Sequence, residues 1–277
     1  MTRVMPSWND KQNTSMRDSW KSAEAYEYFM GRWSRLAARS FLNWLAPAHG
    51  MRWLDVGCGS GALSEAILNQ CAAAQLTAVD RSDEFVARVQ ERLGKLVHCL
   101  VGDAAALPME RTSVDYAVSG LVLNFISEPV EALAEMKRVI APAGIAAVYV
   151  WDYAGIMEFL NAFWDTAVAL DPHASGRHER YRFPDANPDS LRGMFDEAGY
   201  RDIESAPIEI ETHFGNFEDY WNPFLGGQGP APSYLASLDE SHRQKIRESL
   251  KDSLPIQPDG SISLRARAWA VKGRPNR

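Results

Sequence analysis

The chain has 277 residues and a mass of 30.9 kDa, enough to bury a core without help from a metal or a disulfide. Its 29 basic and 36 acidic residues leave a net charge of −7, mixed along the chain, which argues against a phosphate-neutralising surface for nucleic acid. Apolar runs such as Ala143–Trp151 are strand-sized, the N-terminus carries no apolar signal core, and Cys58, Cys71 and Cys99 have neither disulfide nor zinc spacing. A cytoplasmic protein with no membrane span is expected.

Residues 1–20 are polar and are expected to fray. Between 21 and 45, Tyr26, Phe29, Trp33, Leu36, Ala37, Phe41, Trp44 and Leu45 recur at helical spacing, and Gly31 predicts two helices or a bend. Pro47 and Gly50 close this stretch, so 1–45 reads as an N-terminal helical cap and 46–277 as the main domain. The pattern then changes. Met51–Val56, Leu76–Asp80, Val97–Val101, Val114–Ser119 and Ile145–Trp151 read as buried strands, with Leu63–Cys71, Ser82–Leu93 and Pro129–Ile140 as helices among them. That alternation implies parallel strands with right-handed crossovers, a doubly wound α/β sheet. Farther on, Ile156–Leu170 and Pro188–Ala198 read as helices, while Ile203–His213 and Ser261–Val271 alternate as strands do, giving a mostly parallel seven-stranded sheet. If those last two strands pair antiparallel at the end of the sheet, 213–260 must project from its edge as a lid.

The strongest motif is Trp53-Leu-Asp55-Val-Gly57-Cys58-Gly59-Ser60-Gly61, three glycines between a strand and a helix. Such a loop lets the backbone approach a ligand, with the free N–H groups of the helix start behind it. Gly57, Gly59 and Ala62 also satisfy a dinucleotide pattern, so the glycines alone do not choose the ligand. Asp55 would repel a pyrophosphate, whereas S-adenosylmethionine has no phosphate and carries positive charge. About 20 residues beyond the loop, Asp80 ends the second strand where a ribose diol can donate to it, a reading common to both cofactors. Gly102-Asp103-Ala104 ends the third strand, with an acid suited to an adenine amino group.

Leu54–Gly61, Val79-Asp80, Gly102–Pro108 and Val114–Phe125 together resemble the class I S-adenosylmethionine-dependent methyltransferases, and among them the small-molecule group of ubiquinone and menaquinone methyltransferases. The resemblance covers roughly Arg52 to Trp151. It implies a Rossmann-like fold, S-adenosyl-L-methionine as cofactor and S-adenosyl-L-homocysteine as product. It further implies that Gly57, Cys58 and Gly59 cradle the methionine part and that Asp55 lies near it. Asp80, with Arg81 beside it, would hold the ribose, and Gly102, Asp103 and Ala104 the adenine. Ser119, Gly120 and Leu121 would begin the segment that runs under the cofactor towards the substrate. Asn124 stands where many members have a His, so no histidine base is expected there. Ala143 replaces a glycine of the usual turn before the fifth strand, which should alter a turn and not the chemistry.

On the cap, Arg32 and Trp33 are expected over the cofactor, Arg32 meeting the methionine carboxylate; a surface arginine and a core tryptophan are the plain alternative. Asn124, Asp152, Tyr153, Tyr220 and Trp221 are the candidates for the acceptor pocket. In the insertion, Tyr220, Trp221 and Phe224 could fold over a planar acceptor while Gly226, Gly227 and Gly229 let the lid open, or they could form a structural aromatic cluster. The tryptophans at both ends of the chain, Trp8 and Trp20 among them, suggest an apolar pocket under the cap. No two histidines stand at metal-binding helical spacing, so no metal is expected, and Cys58 reads as gap filling more than as a nucleophile. The expected activity is methyl transfer to a small-molecule acceptor, O-methylation favoured over N- or C-methylation. A non-catalytic S-adenosylmethionine-binding regulatory protein and a nicotinamide-dependent reductase are the alternatives. The expected partners are the small acceptor and, in a homodimer, a second copy, with no nucleic acid and no membrane.

Overall fold

The computed structural model describes residues 26–227 and 229–276. The segment expected to fray over 1–20, positions 21–25 and both Trp8 and Trp20 lie outside the described residues. The strands are β1 (Arg52–Val56), β2 (Gln75–Asp80), β3 (His98–Val101), β4 (Val114–Gly120), β5 (Ile140–Trp151), β6 (Tyr200–Phe214) and β7 (Ile262–Pro275). They form one sheet in the order β3-β2-β1-β4-β5-β7-β6. β1 to β5 are parallel, and β7 runs antiparallel to both β5 and β6. The doubly wound, seven-stranded expectation therefore holds. The central strands β1, β2 and β4 are apolar runs because helices cover both faces of a parallel sheet. In β6, buried Ile208, Ile210, Thr212 and Phe214 alternate with exposed Glu209, Glu211 and His213, as an edge strand with one wet face requires.

β5 starts earlier than its apolar run suggests. Ile140 pairs with Val114 and Ile145 with Tyr116, so residues 141–144 bulge opposite Asp115 alone. Gly144 permits the bulge, since a Cβ there would lie 2.5 Å from the Asp115 carbonyl oxygen.

The helices are α1 (Arg32–Leu45), α2 (Ala62–Gln70), α3 (Asp83–Leu93), α4 (Pro129–Val139), α5 (Glu158–Leu170), α6 (Glu179–Arg182), α7 (Pro188–Glu197), α8 (Phe217–Trp221), α9 (Pro230–Ser237) and α10 (Glu240–Ser253). A π-helical turn, Glu27–Gly31, runs straight into α1, with Gly31 right-handed at φ −56 and ψ −40. Gly31 thus marks the change from the π-helical turn to α1, with right-handed backbone throughout. It also makes room: a Cβ would strike the Glu27 carboxylate, which folds across it to meet Arg35 and Ser60. α1 buries Trp33, Ala37, Phe41 and Leu45 against α2 and β6.

The insertion between β6 and β7 does not stand off the edge. Its α8, α9 and α10 pack back on the molecule, α9 and α10 against α5. Phe224 stacks on Phe163 with ring centroids 4.6 Å apart, and Tyr220 donates its hydroxyl to the Phe159 carbonyl at 2.8 Å. Residues of α1 and of the insertion belong to the same buried cluster as the sheet. Among the described residues no helix is long and apolar enough to cross a membrane.

Candidate functional site

A cavity of about 300 Å³ lies over the carboxyl ends of the parallel strands, where the strand order reverses between β1 and β4. Gly57, Cys58 and Gly59 after β1, Asp80 at the end of β2 with Arg81 after it, and Gly102, Asp103 and Ala104 after β3 line one part. Gly120 and Leu121 continue it past β4. Beyond β5 the wall becomes aromatic, with Trp151, Tyr153 and Phe183, and Tyr26, Phe29 and Met30 close it from the cap.

The glycine loop is built by backbone bonds to the neighbouring strand. Gly57 and Cys58 donate to the Val79 carbonyl at 2.7 and 3.0 Å, and Gly61 to the Cys58 carbonyl at 2.8 Å. Gly57 has φ +71, and a Cβ there would sit 2.5 Å from Val122. Gly59 has φ +49 and lines the cavity, yet a Cβ there would meet no atom within 4 Å. The first glycine is needed for packing, whereas the second faces space that a ligand can fill. Asp80 binds the loop together: Oδ2 accepts from the Gly59 N–H and Oδ1 from the Ser82 N–H, each at 2.9 Å. A carboxylate has about four acceptor positions, so two remain for a diol.

Several expected site residues face elsewhere. Asp55 is buried behind the loop, where Ser64 donates to Oδ2 at 2.7 Å, and it does not line the cavity. Burial and, less strongly, Asp80 push its carboxyl up to about 7 against the Ser64 bond. A carboxyl so placed and only partly ionised near pH 7 weakens the argument that Asp55 repels pyrophosphate. Arg32 turns away to Asp219, at 2.9 and 3.1 Å, and sits over the rings of Trp33 and Phe214. Trp33 packs on Phe214 at 5.1 Å. Trp33 is buried and Arg32 is half-buried, and neither lines the cavity.

Asp152 is bound to Arg267 at 2.5 Å and to the backbone of Gly155 and Ile156, and so shapes a turn after β5. Ser119 and Asn124 are buried outside the cavity lining. Tyr220 and Trp221 fail as acceptor contacts because rings and a carbonyl in the core already engage them. Of the acceptor candidates, Tyr153 lines the cavity. Cys58 lines it too, but burial and then Asp55 and Asp80 hold its thiol well above the ordinary range, which suits packing and not nucleophilic attack.

Glu179, Phe183 and Phe125 line the cavity and were not among the candidates. Glu179 and Phe183 come from a charged stretch after Asp171-Pro172 that looks like a surface loop. Only the folding of α6 against Trp164 brings them inside.

The family described as "Methyltransferase domain" matches residues 54–148. Malonyl-[acyl-carrier protein] O-methyltransferase of Geobacter sulfurreducens is 30% identical over 182 residues, 65% of this chain and 66% of that one. Demethylmenaquinone methyltransferase of Staphylococcus epidermidis is 28% identical over 174 residues, 56% of this chain and 69% of that one. Among solved structures, phosphoethanolamine N-methyltransferase 2 of Haemonchus contortus, in complex with S-adenosyl-L-methionine, superposes with a TM-score of 0.55 at 18% identity. It covers all of this chain and 62% of its own. YcgJ of Bacillus subtilis gives 0.53 at 18% identity, covering 87% of this chain and 98% of its own. At those identities the structural likeness speaks to the fold.

Proposed function

We infer, for a chain that belongs to the S-adenosylmethionine-dependent methyltransferases, that its acceptor is a small molecule and that oxygen is the favoured site of methylation. The observation that carries this reading is the continuity of the cavity, from the glycine loop and Asp80 at one end to Tyr153 and Phe183 at the other. Its polar part fits the cofactor: Gly59 leaves a cradle that any side chain would enter, and Asp80 keeps acceptor capacity after its two backbone bonds. Gly57, Gly59, Asp80, Asp103 and Leu121 are the residues proposed to hold it. The cofactor supplies an electrophilic methyl group on a sulfonium.

The chain's own contribution is orientation and exclusion of water. Phe125, Tyr153 and Phe183 offer flat apolar faces to an acceptor, with Phe183 centred 5.1 Å from Phe125 and 5.2 Å from Tyr153. Tyr26, Phe29 and Met30 cover the cavity from the cap, and a water-poor pocket strengthens each polar contact inside it. The name of the Geobacter relative, an O-methyltransferase, supports oxygen as the site. Three free cysteines, Cys58, Cys71 and Cys99, support a reducing, cytoplasmic setting.

The test is transfer of labelled methyl from S-adenosylmethionine to a panel of phenols, alcohols, enols and amines, with an acyl-carrier protein as a further arm. Label in an O-methyl product of low mass is expected. Label confined to the carrier protein would refute the small-acceptor reading, and label confined to nitrogen or carbon would refute oxygen.

A further inference from the structure

We propose that the Tyr149 hydroxyl is the donor that receives the carboxylate of the cofactor's methionine part, the role expected of Arg32. This rests on the methyltransferase reading above and assigns one contact within it.

The first support is position. Tyr149 of β5 pairs with Gly120 of β4, and the parallel register of β1 and β4, with Asp55 beside Val118, carries Gly57 level with Gly120. Gly57, Gly120 and Tyr149 thus form one row across the strand ends, and two of the three have no side chain. The Tyr149 side chain occupies the space this leaves: a Cβ on Gly120 would sit 2.6 Å from the hydroxyl oxygen. Tyr149 lines the cavity, and the ring of Phe41, from α1, packs against its ring with centroids 4.5 Å apart. Its backbone is fixed as well, since Leu121 donates to the Tyr149 carbonyl at 2.7 Å.

The second support is the state of the hydroxyl. Tyr149 is 1% exposed, yet among the described residues its hydroxyl has no hydrogen-bond partner. Tyr200 and Tyr220, also buried, donate theirs to the carbonyls of Leu133 and Phe159. A buried donor without an acceptor is costly, and a ligand in the cavity can supply one. Burial first, and then Asp55 and Tyr26, hold the phenol well above its ordinary range, so near neutral pH it donates and does not act as a base.

The third support is how the neighbouring donors are used. Gly57 and Cys58 give their N–H groups to Val79, Gly59 to Asp80 and Gly61 to Cys58. The Ser34 hydroxyl donates to the Met30 carbonyl at 3.2 Å, and the Ser60 hydroxyl donates to Glu27. Arg32 is held by Asp219, and the cation in the lining, Arg81, follows Asp80 at the end of β2. A carboxylate entering beside Gly57 therefore meets donors already engaged within the fold, except for the phenol in the same row. A phenol-to-carboxylate bond is charge-assisted, and it gains strength where water is excluded.

Calorimetric titration of the full chain with two ligands tests this: S-adenosylhomocysteine and its decarboxylated analogue, which lacks the carboxylate alone. The wild type is expected to bind S-adenosylhomocysteine at least about tenfold more tightly than the analogue. Tyr149→Phe should weaken S-adenosylhomocysteine at least about tenfold and change the analogue less than about twofold. The variant removes one atom that bonds no described residue, so its thermal midpoint should stay near that of the wild type. Unchanged affinity for S-adenosylhomocysteine in the variant, or an equal loss for both ligands, would overturn the assignment. Loss of the cooperative thermal transition would overturn it too, by showing that the hydroxyl serves the fold. The same series separates the two readings. A wild-type chain that does not bind S-adenosylhomocysteine refutes the methyltransferase reading, whereas tight binding that Tyr149→Phe leaves intact refutes the role of Tyr149.

Discussion

Asp80 has two duties that sequence alone cannot separate. Its position at the end of β2 suggests ribose binding, and its hydrogen bonds to the Gly59 and Ser82 N–H groups also hold the loop in shape. Asp80→Ala should remove charge-assisted bonds of about 1.5–3 kcal/mol each and weaken S-adenosylhomocysteine at least about tenfold in calorimetry. Asp55 gives the opposite case, an acid whose importance is internal. In the unfolded chain it ionises near 3.8, and in the fold burial raises it to about 7. Between those values the unfolded state releases a proton that the folded state keeps. The contribution of Asp55 to stability is therefore greatest below about 4, falls as pH rises to about 7, and is flat above. Asp55→Asn, with an amide oxygen still open to Ser64, should abolish that fall. Urea midpoints from pH 4 to 8 should converge at the acid end and favour the variant by a few kcal/mol at the alkaline end.

At the scale of elements, the insertion and the cap carry the sharpest tests. Phe224→Ala empties a fully buried site between Phe163 and Phe29, so a loss of about 3–5 kcal/mol in urea unfolding is expected, with cofactor affinity little changed. A mobile lid would give the reverse: stability kept and acceptor binding lost. The cap is tied to the glycine loop by Glu27, which receives Ser60 and Arg35 and has Arg92 4.0 Å away. Glu27→Ala should speed release of S-adenosylhomocysteine several-fold in stopped-flow fluorescence while leaving the thermal midpoint nearly in place, since partly exposed ion pairs add little to stability.

Much of this level was legible. The alternation of apolar runs and amphipathic stretches from Arg52 to Trp151 set the sheet, because buried parallel strands and covering helices have different periods. The facing of single side chains was not legible, since it depends on distant partners. Asp219 draws Arg32 away and α5 absorbs Tyr220, each across a long stretch of sequence, and Trp164 draws Glu179 inward from 15 residues away.

Taken whole, the molecule combines a local half with a non-local one. β1, β2 and β4 assemble through crossovers of moderate length, whereas β7 lies between β5 and β6 although it follows both in sequence. Pulse-labelled hydrogen exchange during refolding should show β1, β2 and β4 amides protected before those of β6 and β7; simultaneous protection throughout would contradict this order.

The slot between β5 and β6 has a further consequence for a chain emerging from the ribosome. Until β7 is made, β5 keeps one row of backbone groups open and β6, with fifteen residues, has no strand beside it. Loop closure across the insertion must come before either gap is filled. A nascent chain stopped within α10 therefore exposes two adhesive edges at once, the state in which strands of neighbouring chains pair. The exposed Glu209, Glu211 and His213 that alternate along β6 place charge and polarity on that waiting strand and discourage such pairing until its own partner arrives.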